Sequence, residues 1–274
     1  MQSWLIKIFG SFDMERILVS IVIPTYNSAE CLERCLNSIK IQSFTNFEVI
    51  VIDNVSNDKT LDIVNRFSKG GLMINCISRK DSGVYDAMNN GIKEANGEWI
   101  YFLGSDDYLL DNYVLLKFSE YISDSKMKAH LMYGNVNSHF YGDKYAGEFD
   151  VHKIMTKNIC HQAIFYNRKI FDLVGLFNLK YKILADYDFN LRCFFSHRVK
   201  VKYIDMTVAY FSDGGISNTI VDDIFYSDYS NKAEIVKKVG YKKLTIKELR
   251  PYYDSSTELL LVIIKKYLNR LFTH

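Results

Sequence analysis

The stretch "WIYFLGSDDYLLDNY", Trp99 to Tyr113, opens as an apolar, aromatic run and breaks at Gly104. Such a run reads as a strand buried on both faces. Two adjacent carboxylates follow the break, Asp106 and Asp107. Like charges side by side repel, and each is costly to desolvate. A core strand that ends by aiming two acids at one place therefore needs a chemical reason.

Upstream of this stretch, strand and helix patterns alternate. "ILVSIVIP" (Ile17–Pro24) is an apolar, β-branched strand, and "SAECLERCLNSIKIQ" (Ser28–Gln42) has helical spacing at Cys31/Leu32, Cys35/Leu36 and Ile39, with Ser28 as its cap. "FEVIVIDN" (Phe47–Asn54) is a second buried strand, and "DKTLDIVNRFSK" a second helix. "MINCISR" (Met73–Arg79) is a third strand, and "VYDAMNNGIKEA" (Val84–Ala95) a third helix with Val84, Met88, Ile92 and Ala95 on one face. This alternation implies a mostly parallel sheet covered by helices, whose ligands bind at the carboxyl ends of the strands. The residues just past each strand are Thr25-Tyr26-Asn27, Asp53-Asn54, Asp81-Ser82-Gly83 and Ser105-Asp106-Asp107. Polar groups, several of them acidic, converge on one edge.

Paired acids on such a turn suit a hard divalent cation, Mn2+ or Mg2+, which takes one or two carboxylates and fills its shell with water and substrate phosphates. The structural alternative is a surface turn ahead of a helix capped by Asp111 or Asn112. Around the acids, Tyr26 offers a ring to stack on a base, and Thr25, Asp53 and Asp81 offer hydrogen bonds to base and ribose. Each also has a bland reading: Asn27 or Ser28 as a cap, Asp53 and Asn54 as turn formers, Asp81 and Ser82 as the cap of the next helix. No G-x-G-x-x-G follows a strand, and no P-loop or H-E-x-x-H occurs.

Beyond residue 130 the pattern is less regular. "NRKIFDLVGLFN" reads as a short helix ended by Gly175, "ADYDFNLRCFF" (Ala185–Phe195) as a helix, and "VKYIDMTVAYFSDGGIS" as one or two strands and a glycine turn. Three regions are expected: a nucleotide-type half over 16–130, an acceptor-type half over 131–220, and a helical tail over 221–274. Lys and Arg number 34 against 32 Asp and Glu, a net charge of +2 that gives no global field for nucleic acid. The five cysteines show no CxxC spacing and read as reduced core thiols of a cytoplasmic protein. No run has the length of a transmembrane helix. "TELLLVIIKKYLNRLFTH", with Lys265, Lys266 and Arg270 behind an apolar run, reads either as a surface-lying membrane helix or as a helix packed on the domain.

"VSIVIPTYN", "VIDNVSNDKT" and "DSGVYDAMNNGIKEANGEWIYFLGSDD" together resemble the family 2 glycosyltransferases of the GT-A fold, in the bacterial branch that builds O-antigen, capsule or colanic-acid-type polysaccharide. The resemblance is dense from Leu18 to Leu110. It continues more loosely through "ICHQAIFYNRKIFDLVGLFN", "ILADYDFNLR" and "DGGIS". It implies an α/β fold with a Rossmann-like, mostly parallel sheet flanked by helices and a second, acceptor-binding lobe. Pro24, Thr25 and Tyr26 would line a uridine pocket, with Asp53 and Asp81 reading base and ribose. In the D-x-D-type motif Ser105-Asp106-Asp107, Asp106 would face ribose and sugar and Asp107 the metal on the diphosphate. Asp186 of "ADYD" would be the catalytic base, with Ala185 in place of the usual Glu. Asn54 and Val55 depart from the usual Asp/Gly pair. By their place just before an apolar run, His161 and Gln162 are candidates to touch the acceptor or a phosphate, the alternative being a structural histidine beside the core.

The resemblance thus implies an inverting, metal-dependent transfer of a hexose or N-acetylhexosamine from a UDP-sugar to a polyprenyl-diphosphate-linked glycan. The enzyme would be cytoplasmic and peripheral at the inner face of the membrane. A sugar-nucleotide pyrophosphorylase is the rival enzyme; it should show a glycine-rich nucleotide loop, which "PTYNSAE" lacks. The non-enzymatic rival is an inactive nucleotide-binding membrane module.

Overall fold

The computed structural model describes residues 17–229, except 125–127, 140–141, 143–144, 146 and 213–220. The "DGGIS" turn and the apolar-basic segment near the carboxyl terminus lie outside the described residues.

Three helical crossovers build the first half. Strands β1 (Val19–Thr25), β2 (Phe47–Asp53), β3 (Ile74–Ser78) and β4 (Trp99–Phe102) are joined through α1 (Leu32–Lys40), α2 (Thr60–Lys69) and α3 (Val84–Glu94). β1 lies parallel between β2 and β4, and β2 is parallel to β3. β1, β2 and β4 are buried almost throughout, which is why they lack the alternating pattern of a half-exposed strand. α1 turns Leu32, Cys35, Leu36 and Ile39 inward, the spacing its sequence shows. α3 comes so close to β1 that a side chain at Gly91 would collide with Val22, so that position admits only hydrogen.

The second half continues the same sheet. β5 (Tyr108–Leu109) and α4 (Val114–Ser123) lead to β6 (Leu131–Asn137), α5 (Val151–Ile154), a 3-10 turn at His161–Ala163, β7 (Ile164–Asn167), α6 (Ile170–Val174), α7 (Ala185–Phe195) and β8 (Val201–Tyr210). The strand order is β3-β2-β1-β4-β7-β6-β8-β5. β7 runs antiparallel to both β4 and β6, β8 is parallel to β6, and β5 is antiparallel to β8. The sheet is therefore parallel up to β4 and mixed beyond it, and it crosses residue 130 without a break.

Two local expectations change. Ser28 does not cap α1: the helix begins at Leu32 after Cys31, with no side-chain cap, while the Ser28 hydroxyl accepts from Ser105 Oγ at 2.9 Å. Its side chain ties the end of β1 to the end of β4 instead. On α3 the buried face is set by Tyr85, Ala87, Met88 and Ile92, and Val84 is exposed, because the first residue of the helix projects past the sheet edge. α6 ends at Gly175, whose φ of 80° only glycine adopts freely. The five cysteines are all free.

Candidate active site

The carboxyl ends of β1, β2 and β3 are stitched together by Asp53. Its side chain is fully buried and accepts from Thr25 Oγ1 (3.1 Å), Ser56 N (3.0 Å), Ser56 Oγ and Ser78 Oγ (2.7 Å). Four donors fill the acceptor sites of one carboxylate. Burial pushes the carboxyl up, but the Ser56, Ser78 and Thr25 bonds outweigh it and hold Asp53 below the usual carboxylate range. Asp53 thus serves the loops first, and Thr25 is engaged with it. Pro24 is part of β1 behind them. Tyr26, the next residue, is 61% exposed with its ring free of the core. Asp81 accepts from Gly83 N at 2.9 Å, and its amide donates to Asn54 Oδ1 at 3.0 Å. Burial raises the Asp81 carboxyl, and the nearby charges of Asp86 and Asp53 add to this.

The two adjacent acids divide. Asp107 turns inward and is 1% exposed; its Oδ2 accepts from Gln162 Nε2 (2.5 Å) and its Oδ1 from Ser212 N (2.8 Å). Burial and the neighbouring Asp106 charge push the Asp107 carboxyl up to about 7, against the pull of Ser212, Gln162 and Arg34. Asp106 is half-buried, and its carboxylate takes no hydrogen bond among the described residues, while its backbone carbonyl accepts from Arg34 Nη2 (2.7 Å) and Ser212 Oγ (2.6 Å). A side chain at Gly104 would strike both Asp107 Oδ2 and Asp106 Oδ1, so oxygens of the two acids converge over this glycine. Two converging oxygens carrying like charge are the donor set a hard divalent cation takes, the rest of its shell being water and phosphate. The residues present fit such an ion.

Asp186 lies in the first turn of α7, not at its cap, and is 6% exposed. Tyr85 Oη lies 2.8 Å from its Oδ1, and Asn158 Nδ2 donates to its Oδ2 at 2.9 Å. Asn158 is held in turn by Asn190 Nδ2 at 2.9 Å. The His161 Nδ1 atom is 3.9 Å from Asp186 Oδ2, too far for a hydrogen bond. Burial pushes the His161 imidazole down, against the charges of Asp186 and Asp106. Asp188 pairs with Arg192 at 2.9 Å along the helix, as the i,i+4 spacing predicts.

The segment 158–162 therefore links both centres, Asn158 to Asp186 and Gln162 to Asp107. Both polar ends of Gln162 are used, since its Oε1 accepts from Cys160 Sγ at 2.8 Å. Gln162 supports the acid pair. Three contributing residues escape the sequence pattern: Tyr85, hidden on a helix face that reads as core; Asn158, in an irregular segment; and Ser212, which arrives from the far end of β8. The only signal for Tyr85 is a hydroxyl on an otherwise apolar face.

A family model described as "Glycosyl transferase family 2" matches residues 20–225. The chain belongs to glycosyl transferase family 2. A PGL/p-HBAD biosynthesis glycosyltransferase of Mycobacterium tuberculosis is 42% identical over 211 residues, covering 76% of this chain and 82% of that protein. The chondroitin synthase of Pasteurella multocida is 31% identical over 195 residues, 68% of this chain but 20% of the synthase. Among solved structures, Staphylococcus aureus TarS 1–349 in complex with UDP-GlcNAc overlays with a TM-score of 0.65 at 22% identity, covering 80% of this chain and 66% of that one. A mannosyltransferase of Pyrobaculum calidifontis, bound to GDP-Man and Mn2+, gives 0.59 at 15% identity over 93% and 75% of the two chains. The fold is that of the GT-A glycosyltransferases, and the chain is a glycosyltransferase of the family 2 type.

Proposed function

We propose that the chain transfers a hexose or N-acetylhexosamine from a UDP-sugar to a hydroxyl of a glycan acceptor, with inversion at the anomeric carbon and with a divalent cation. The observation that carries this reading is the single segment 158–162, which joins a buried, hydrogen-bonded carboxylate, Asp186, to the acid pair Asp106-Asp107. Inversion needs one base and no carboxylate nucleophile. The acceptor oxygen attacks the anomeric carbon, the bond to the diphosphate breaks with its electron pair leaving on UDP, and the acceptor proton passes to Asp186. Asn158 donates to Asp186 Oδ2 and the Tyr85 hydroxyl, whose one proton it shares with the Ile183 carbonyl, lies against Oδ1, so the carboxylate meets the acceptor hydroxyl in a fixed orientation. Asp106 and Asp107 would hold Mn2+ or Mg2+, and the bound cation supplies charge neutralisation for the leaving diphosphate. Tyr26, exposed next to Thr25, would supply the stacking surface for the base, and His161, 3.9 Å from Asp186, would meet the acceptor.

The acceptor we favour is a glycan on a polyprenyl-diphosphate carrier at the inner face of the membrane. The apolar-basic sequence near the carboxyl terminus supports it. No described helix is long and apolar enough to cross a membrane. Calorimetry of UDP with and without Mn2+ tests the donor site. Binding that requires metal and is lost in both Asp106→Ala and Asp107→Ala supports the reading. UDP that binds the native and substituted proteins equally without metal refutes the metal role, and no binding at all refutes the donor.

A further inference from the structure

Asp222 is a buried carboxylate, 6% exposed, in a segment that the chemistry above does not use. Its Oδ2 accepts from the backbone amides of Ile183 (2.9 Å) and Leu184 (3.2 Å), and its Oδ1 from the amide of Phe225 (3.1 Å). The Ile183 carbonyl faces the opposite way and accepts from Tyr85 Oη at 2.6 Å. One residue is thus gripped on its amide by Asp222 and on its carbonyl by a tyrosine of α3. Asp186 follows three residues later, and the same Tyr85 hydroxyl lies against it.

The helical residues 223–229 hold this grip closed. Phe225 stacks on Tyr187 at 5.2 Å and meets Tyr181 edge-on at 5.4 Å, and Tyr229 bonds the Met155 carbonyl. Asp228 accepts from Lys180 (2.7 Å) and Tyr181 (2.8 Å). The loop before α7 and the first turn of α7 are clasped from outside by 222–229 and from inside by α3.

We propose that Asp222 and Tyr85 are positioning residues that act through the Ile183–Leu184 peptide to place Asp186. This inference rests on the assignment of Asp186 as the base. A carboxylate that accepts two consecutive amides fixes the plane of the peptide between them, and the hydroxyl on the carbonyl before it removes the remaining rotation. The α7 helix starts from that fixed plane. A shift of about 1 Å in a base costs on the order of 100-fold in rate even when substrate binding is untouched.

The test uses the full chain with Mn2+, the donors UDP-glucose, UDP-galactose and their N-acetylated forms, UDP release as the rate, and hydrogen exchange over 181–188. Asp222→Asn is expected to speed exchange over 181–188 and to slow UDP release about 10- to 100-fold, with UDP affinity unchanged. Tyr85→Phe, which removes one atom and keeps the fold if Asp222→Asn does not, is expected to do the same. Because both hold one peptide, exchange over 181–188 in the double variant should be no faster than in the worse single variant within about threefold, whereas the rates of the two variants can combine because Tyr85 also lies 2.8 Å from Asp186. Exchange effects that multiply, unchanged exchange, or a loss of UDP affinity in step with the rate overturn the clamp. An inactive Asp186→Asn beside a fully active Asp222→Asn also overturns the clamp and leaves the base standing. A fully active Asp186→Asn overturns the base, and with it the clamp's purpose. If the native chain turns over none of these donors, exchange in the two single variants and the double decides the clamp by the same criterion.

Discussion

Asp186 and Val55 mark two ways in which a residue can be out of the ordinary. Asp186 is a buried acid with polar groups against both oxygens, and its replacement by Asn keeps the shape but removes the proposed proton acceptor. We expect Asp186→Asn to lower kcat about 10²- to 10⁴-fold with UDP affinity unchanged, measured by steady-state UDP release and by calorimetry. Val55 sits at φ 53°, a region that a β-branched side chain avoids, and its side chain is 57% exposed. Strain of this kind costs about 1–3 kcal/mol, whereas glycine adds about 0.5–1 kcal/mol of unfolded-state entropy. The first term wins, so Val55→Gly should raise the melting temperature. Asn54 and Val55 were legible as departures from the family pattern, but the left-handed backbone was not, because φ at one residue is set by the loops that tie Ser56 and Asn57 to Asn27.

Among the elements, the βα repeats of the first half were legible because each strand is a continuous apolar run and each helix an amphipathic one. The strand ends then named the edge at which polar groups gather. The second half was harder to read for a physical reason: β7 and β8 pair with strands distant in sequence, and the 158–162 segment has no periodicity at all. α7 over Ala185–Phe195 was still readable from Phe189, Cys193 and Phe194. The roles of Asn158 and Gln162 emerge only when β7 is seen beside β4. Gln162 donates to a buried carboxylate, so Gln162→Ala leaves Asp107 short of one partner. We expect a stability loss of about 1–3 kcal/mol in urea unfolding, together with weaker Mn2+ binding in the presence of UDP.

On the scale of the whole molecule, one eight-stranded sheet runs through both halves of the chain, and Asp53 ties three of its strands at one edge. Asp53 has a carboxyl lowered in the folded state, so the folded chain binds fewer protons than the unfolded one as pH falls. Its contribution is full above the unfolded value of about 3.9 and is lost as pH drops through the lower, folded value. Urea unfolding across this acid range should show stability falling with pH in the native chain. Asp53→Asn should be less stable at neutral pH and should show a flatter acid decline.

The bond from Ser212 to Asp107 spans 105 residues. A chain emerging from a ribosome completes β1 to β4 long before it makes Ser212, and until then the acid pair lacks the amide that holds one of its oxygens. Contacts this distant in sequence also form late during folding, because closing so long a loop comes first. The turn at 104–107 therefore stays one partner short until the residues after β8 have been made, and a fragment that stops before Ser212 carries Asp107 with one acceptor oxygen left open.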